Sequence, residues 1–342
     1  MIPHSKPWIT AADTVAVLDC LNSGLIAEGR ASVALESTLE KAFSADRAVV
    51  VGSGSQALLL SLRSLNIGPG DEVIVPTYVC PEVLGVVEGL GATPVLSDID
   101  ADYLASFRDI EQLCTTQTAA IILPFLFGIK MDLSRFRLLN LPLIVDWAQY
   151  LPSRADRGRL EELTVLSFEA TKLIAAGEGG AVLASSKAAP SVASLKSING
   201  GTHKQNLYPL SDLQASLAMS QFARLDDMIQ RRKDIADRYF SQLRSARQML
   251  LPDAIRERSI FFRFPVRLRR HIDIDALIDR FASNGIAIRR PVDTMLHDLR
   301  PGARKFPEAE ECFHGTISLP LYPAMRDEDV DKVISVSREL LS

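Results

Sequence analysis

The chain has 342 residues, 47% of them hydrophobic and 23% charged, with 19 glycines and 18 prolines. These are ordinary globular values; they exclude disorder, collagen and coiled coil, and a chain of this length buries a core without a disulfide or structural metal. A formal charge of −4, from 38 basic and 42 acidic residues, argues against a polyanion and so against nucleic acid as partner.

Apolar runs predict strands at 47–51, 72–76, 93–97, 118–123, 142–146, 163–167 and 180–184. Most run on without period-two alternation, as in strands covered on both faces. Segments of helical spacing lie between them, such as Leu58, Leu62 and Leu65. The alternation predicts an α/β fold with a mostly parallel seven-stranded sheet and helices on both faces. Residues 211–247 then predict one long helix or two, capped at Ser211-Asp212, with apolar positions at Leu213, Leu217, Phe222, Leu225, Met228 and Ile229. A strand at 259–266, a helix at 273–284 and a last helix at 326–341 complete a smaller α+β unit. The expected division is a large domain over 1–240 and a small C-terminal domain over 241–342.

Cys20, Cys80, Cys114 and Cys312 form no CxxC pair and the five histidines no HxxxH, so no metal site is expected. Free thiols suit a reducing compartment. The first residues lack a basic-then-apolar export pattern, and the longest apolar run, 118–129, is about half a membrane span and contains Pro124 and Gly128. A cytoplasmic protein with no membrane partner is expected. Two short basic clusters, at 231–233 and 267–271, read as solvated faces.

Three motifs carry chemistry. Val51-Gly52-Ser53-Gly54-Ser55-Gln56-Ala57 follows a strand and opens a helix, where amides and hydroxyls bind a phosphate. Gly52, Gly54 and Ala57 also fit the loose dinucleotide pattern, but the next strand ends Val75-Pro76-Thr77 without the acid that holds a ribose, which favours a compact phosphate over NAD. Asp146 ends an apolar strand, at the edge where open α/β sheets bind ligands, with Gln149 three residues on. Ser167 ends another strand, and Lys172 follows in a loop among apolar Leu173 to Ala176, before a glycine turn at 177–180. Dry surroundings turn an amine into a usable nucleophile. Pyridoxal 5′-phosphate (PLP) needs this set: a phosphate cradle, a lysine for the Schiff base and a carboxylate that keeps its ring nitrogen protonated.

At these residues the chain resembles the DegT/StrS-type sugar aminotransferases, PLP enzymes of the aspartate-aminotransferase fold (fold type I), from near residue 8 to the end. GSGSQALLLSL matches the family's phosphate loop, GPGDEVIVPTY its GDEVI-P segment, VDWAQ its D-x-A-Q/H motif, SFEATKLIAAGEGGAV its lysine block and SLPLYPAMRDEDVDKVI its tail. The resemblance implies that Lys172 anchors the cofactor and moves the substrate proton. It implies that Asp146 faces the pyridine nitrogen and Gln149 the ring hydroxyl, while Gly54, Ser55, the Gln56 backbone and Ser167 cradle the phosphate. It further implies a homodimer with sites at the interface, and amino transfer from glutamate to a keto sugar, nucleotide-linked, or a keto cyclitol. The alternatives are a PLP enzyme with another keto substrate or lyase chemistry, and a non-catalytic regulatory protein on the same fold.

Some positions depart from the family pattern. Cys80 stands where an aromatic stacks on the cofactor, with Tyr78 as a substitute two residues earlier. Phe125 replaces a histidine. The N-x-R motif that reaches the partner's site is out of register at Asn206 and Leu207, with Lys204 or His203 as replacements. His297 and the Arg289-Arg290 pair read equally well as solvated groups.

Overall fold

The computed structural model describes residues 1–157, 160–185, 187–195, 197–200, 203–206, 208–269 and 272–342. Seven strands build the main sheet: β1 (Arg47–Val51), β2 (Glu72–Pro76), β3 (Thr93–Ser97), β4 (Thr118–Pro124), β5 (Leu143–Asp146), β6 (Leu163–Ser167) and β7 (Gly180–Ala184). Their order is β1-β7-β6-β5-β4-β2-β3. Strands β6, β5, β4, β2 and β3 pair in parallel, whereas β7 runs antiparallel to both neighbours, β1 and β6. The central strands are buried along their whole length, as continuous apolar runs require. Their carboxyl ends (Val51, Pro76, Pro124, Asp146 and Ser167) therefore share one edge of the sheet.

The segment after Ser211 forms two helices, Asp212–Ala223 and Leu225–Leu243, because the chain breaks at Arg224. The second helix bridges two cores. Leu225 and Ile229 pack into the cluster around the seven-stranded sheet; Ile235, Ala236, Tyr239, Phe240 and Leu243 pack into a second cluster. That second cluster covers a three-stranded antiparallel sheet of Met249–Leu250, Phe264–Leu268 and Thr316–Leu319. Tyr239, Phe240 and Phe264 meet edge to face at centroid distances of 5.0 and 5.2 Å, and each buried ring contributes about 2–3 kcal/mol.

Two expectations need correction. The strand expected at 259–266 begins only at Phe264, because Phe261 takes a φ of 53° and ends the extended run. Residues before it pair instead with the loop after β4: Ile260 N donates to Gly128 O at 2.9 Å and Lys130 N to Arg258 O at 2.9 Å. Gly128, at φ 82°, is required there, since a Cβ would stand 2.8 Å from Phe262 N. The basic run 231–233 is not a solvated face throughout, for Arg232 is 4% exposed. Arg270 and His271 of the second basic run lie outside the described residues.

Asp212 ties the two ends of the large sheet's helical cover together. Its side chain accepts from the amides of Gly29 (2.8 Å), Ala31 (3.0 Å) and Ser32 (3.0 Å) and from the Ser32 hydroxyl (2.6 Å), capping the helix Arg30–Phe43 from a distance in sequence. Burial pushes its pKa up, but these donors outweigh burial and hold the carboxyl below the usual carboxylate range. A depressed folded-state pKa means that the stabilisation is complete above the unfolded value near 4 and is lost as pH falls through the folded one. Asp212→Ala should cost about 2–4 kcal/mol in urea unfolding at pH 7, with the gap to the wild type narrowing below about pH 4. Equal urea midpoints at pH 7 would refute this cap.

Candidate active site

A cavity of about 460 Å³ opens at the carboxyl edge of the sheet. The helix Gly54–Ser64 starts at its wall, capped by Ser53, whose Oγ accepts from Gln56 N at 3.1 Å. The loop before this helix is held by backbone packing. Ser53 bridges to Gly179, and a Cβ on Gly180 would stand 2.6 Å from Ser53 O and 2.8 Å from Gly54 N. Gly54 faces Ser167 in the same way, since a Cβ on Gly54 would stand 3.0 Å from Ser167 Cβ. Only bare backbone fits at Gly180, and a side chain at Gly54 would press on Ser167, whose hydroxyl lies close to the helix N-terminus.

Lys172 lies in the loop between β6 and β7. Three backbone bonds close that loop: Ala170 N to Gly177 O (2.9 Å), Lys172 N to Glu169 O (2.9 Å) and Ala176 N to Phe168 O (2.8 Å). Leu173, Ile174, Ala175 and Ala176 are buried beneath it, so the lysine is carried on an apolar plug. Its Nζ sits 5.6 Å from the centre of the Phe262 ring. Asp146, at the end of β5, is 9% exposed. Its Oδ1 accepts from Ala148 N at 2.8 Å, its one hydrogen bond among the described residues. Burial raises its pKa above the ordinary carboxylate value, with the Ala148 amide and the charge of Lys172 opposing. Gln149 Oε1 accepts from Phe127 N at 2.8 Å, which leaves its NH₂ as the group free to donate.

Gly54, Ser55, Asp146, Gln149, Ser167 and Lys172 all line this one cavity. Gln56 does not line it; its backbone enters the cap of the helix instead. Cys80 does face the cavity, beside Pro81 and Glu82. Tyr78 does not. It is fully buried and stacks on Tyr103 at 6.4 Å, because the strand ends at Pro76 and the chain bends over 77–79, turning Tyr78 into the core while Cys80 caps the following helix at the cavity. His297 is also structural: its Nδ1 meets Thr77 Oγ1 at 2.8 Å and its ring stacks on Phe306 at 4.6 Å. The segment just before it contributes Pro291, Val292 and Asp293 to the cavity lining. Arg290 pairs with Asp275, away from the cavity lining. The side chains of His203, Lys204 and Asn206, and Leu207 as a whole, lie outside the described residues.

Arg263, from the turn before the strand Phe264–Leu268, lines the cavity and was not singled out by the sequence. The signal was present, since Arg263 is a lone charge inside the apolar run 260–266, where a charge is costly unless it is used.

A model of the DegT/DnrJ/EryC1/StrS aminotransferase family matches residues 7–337. The chain belongs to that family. It is similar to the spore coat polysaccharide biosynthesis protein SpsC of Bacillus subtilis (strain 168), at 28% identity over 99% of this chain and 97% of that one. Among solved structures it is similar to Spr1654 of Streptococcus pneumoniae, assigned as a sugar aminotransferase. The PMP form of that protein is 27% identical at a TM-score of 0.90, with 99% of each chain covered. It is also similar to DesV of S. venezuelae in complex with a ketimine intermediate, 28% identical at a TM-score of 0.86, over 96% of this chain and 94% of the other. The seven-stranded sheet and its flanking helices are thus those of this aminotransferase family.

Cys80 is exposed to the cavity yet surrounded by protein, and its thiol is pushed up to about 12, by burial first and by the charges of Asp146 and Glu82 next. At pH 8 its thiolate fraction is then about 10⁻⁴. In the cofactor-free protein, iodoacetamide should leave Cys80 unlabelled at pH 8, and labelling followed by peptide mass mapping should accelerate about tenfold per pH unit up to pH 11. Rapid labelling at pH 8 would show that the thiol is not held neutral.

Proposed function

We propose that this chain is a PLP-dependent aminotransferase that takes the amino group of glutamate and delivers it to a keto sugar, most readily one linked to a nucleotide. The observation that carries the reading is the convergence of Lys172, Asp146 and the Ser53–Gly54 helix start on one cavity. The residues fit the cofactor: the cradle admits no Cβ at Gly180 and leaves little room for one at Gly54, and Asp146 keeps an oxygen without a protein donor among the described residues. Bound there, PLP supplies an electron sink for the carbanion formed when a proton leaves the amine-bearing carbon.

This chain's residues do the rest. The helix N-terminus with Ser55 and Ser167 takes the phosphate, since amides and hydroxyls converge there in the field of the helix dipole. Asp146 accepts from the ring nitrogen and keeps it protonated; the buried position makes a paired charge there far stronger than in water. The NH₂ of Gln149 donates to the ring oxygen. Lys172 would hold the cofactor, and its amine, borne on the cavity wall, would move the proton at the substrate carbon. Its apolar plug leaves only the side chain free to move. The two half-reactions follow in ping-pong order.

The division into a large domain over 1–240 and a smaller one over 241–342 belongs to the same proposal. It is supported by the two separate hydrophobic clusters, with the helix Leu225–Leu243 and Ile2 crossing between them. So does a homodimer with sites at the interface, which rests on the family resemblance. No described helix is long and apolar enough to cross a membrane, which is compatible with the proposed cytoplasmic location.

The test is spectroscopic. Glutamate should bleach the absorbance of the loaded wild-type protein and release 2-oxoglutarate, and a panel of keto sugars and cyclitols should restore it. Lys172→Ala should keep the cofactor without a covalent link and lose about 10²–10⁴-fold in the rate of amino transfer. Undiminished turnover in that variant excludes the assigned role. Bleaching by another amino acid but not by glutamate replaces the donor.

A further inference from the structure

A second cavity, of about 490 Å³, lies behind the candidate active site, on the other face of the sheet. Side chains alternate across a strand, so neighbours in sequence line different cavities. Val145 and Thr164 face the second cavity, whereas Asp146 and Val165 face the first. The division continues beyond β5: Ala148 and Gln149 line the first cavity, Trp147 and Tyr150 the second. After β4, likewise, Phe125 lines the second and Leu126 the first. The segment 145–150 is therefore a wall one backbone thick. Trp147 N donates to Val165 O (2.8 Å), Phe125 N to Asp146 O (2.9 Å) and Tyr150 N to Trp147 O (3.1 Å), and these bonds hold the wall in place.

The second cavity has an aromatic side. Phe125, Trp147 and Tyr150 pack at mutual angles of 53°, 59° and 68°, with centroids 6.2, 5.2 and 5.5 Å apart. A tilted cluster of this kind accepts a further ring in the same geometry. Tyr150 is 3% exposed, and its hydroxyl has no hydrogen-bond partner among the described residues. Burial, and after it the charge of Asp156, push its pKa up, so it stays a phenol able to donate and to accept. Two more lining residues hold buried polar atoms that no described group satisfies, Nε1 of Trp147 and Oγ1 of Thr164. Unmade bonds of this kind are rare in a finished core. The charges, by contrast, balance. The lining sets Lys130, Arg137 and Arg258 against Asp132, Asp156 and Glu161, with Arg137 paired to Glu161 and Arg258 to Asp102 at 2.7 Å. A net charge on a ligand meets no opposite excess here, and burying it is costly.

We propose that this cavity is a second ligand site, which takes a small uncharged aromatic molecule bearing a hydrogen-bonding oxygen, and that its occupancy is felt at Asp146. The ring extends the aromatic cluster, and the oxygen meets the Tyr150 hydroxyl. A sugar ring is a poorer fit, because it needs partners for several hydroxyls and the charged groups Arg137, Glu161, Arg258, Asp132 and Asp156 are already bonded to protein groups. Protein interiors are close-packed, so a ligand that moves Trp147 or Tyr150 moves the peptides that carry Asp146 and Gln149. Coupling of this kind is reciprocal: the ligand and the cofactor change each other's affinity by one and the same factor. The site stands apart from the transaminase reading; only the coupling rests on it, since it supposes the cofactor at Asp146.

Benzamide is the probe, with cyclohexanecarboxamide and benzoate as its saturated and charged counterparts. The chain has two tryptophans, so Trp8→Phe leaves Trp147 as the fluorescent reporter. In this variant, free of cofactor, benzamide should change the Trp147 emission, and both counterparts should bind about 3- to 10-fold more weakly. Tyr150→Phe, which keeps the ring, should also bind benzamide about 3- to 10-fold more weakly. The cofactor absorbance of the loaded Tyr150→Phe protein should equal that of the wild type, which separates lost binding from lost folding. Calorimetry on the cofactor-loaded wild type should give a benzamide affinity about 5-fold or more from the cofactor-free value, and saturating benzamide should alter the cofactor's affinity by the same factor. No emission change up to about 10 mM benzamide, equal binding of the three compounds, or undiminished binding by Tyr150→Phe overturns the site. Benzamide binding that leaves the cofactor's affinity unchanged overturns the coupling. A chain that takes up no cofactor refutes the transaminase reading, and the cofactor-free titration then still decides the site.

Discussion

Where β7 begins, Gly180 runs so close to the Ser53–Gly54 peptide that the two backbones touch without room for a side-chain carbon. This contact is possible because β7 is antiparallel to both neighbours, so its first residue lies at the edge where β1, β5 and β6 end. The loop that returns from β6 to β7 must then pass over that same edge, and it carries Lys172. Reversal of one strand thus brings a helix N-terminus, a serine hydroxyl and a lysine to one place. In an all-parallel sheet the β6–β7 connection would be a crossover leading to the far edge.

The cavity built on this edge separates its charges. At the sheet end, Asp146 is a buried acid with one oxygen lacking a protein donor among the described residues, and burial raises its pKa against the opposing Ala148 amide and the charge of Lys172. At the smaller sheet's end, Arg263 is a buried cation with no carboxylate partner among the described residues and is brought down to about 10, while Arg232, buried too but outside the cavity lining, is brought down to about 9. Neither pole is neutralised from within the described residues, and in a low dielectric each imperfect pairing is costly. Such an arrangement suits a ligand that is cationic at one place and anionic at another better than it suits a core.

The sequence made the strands legible because each is covered on both faces and so reads as an unbroken apolar run; Leu143 to Asp146 and Leu163 to Ser167 are examples. Asp146, Ser167 and Lys172 were legible for a related reason, since polar residues that end such runs are confined to the sheet edge. Other features were not. The direction of β7 leaves no trace in Gly180–Ala184, whose composition suits either orientation. Tyr78 could not be placed because strand alternation stops at Thr77, where the segment turns to cap the helix Pro81–Gly89. Arg263 stayed hidden inside an apolar run read as one strand, because the positive φ of Phe261 depends on tertiary bonds from Gly128 and Arg232.

Cys80 shows how magnitudes assign the meaning of a departure. An aromatic stacked on another ring gains about 0.5–1.5 kcal/mol beyond the area it buries, and a sulfur–aromatic contact about 0.3–1.5 kcal/mol. The two ranges overlap, so the ring-specific part of such a contact is largely kept by a thiol, while the apolar area that a ring would bury is not. Its charge does not matter, since burial beside Asp146 and Glu82 keeps the thiol neutral. Tyr78 cannot compensate, being enclosed by Tyr103 and Phe127. What does change is volume: a side chain several atoms smaller stands in the cavity wall with Asp146 and Pro81. Cys80 therefore leaves more room in the cavity wall than an aromatic would, and the space such a ring would fill stays open to a ligand.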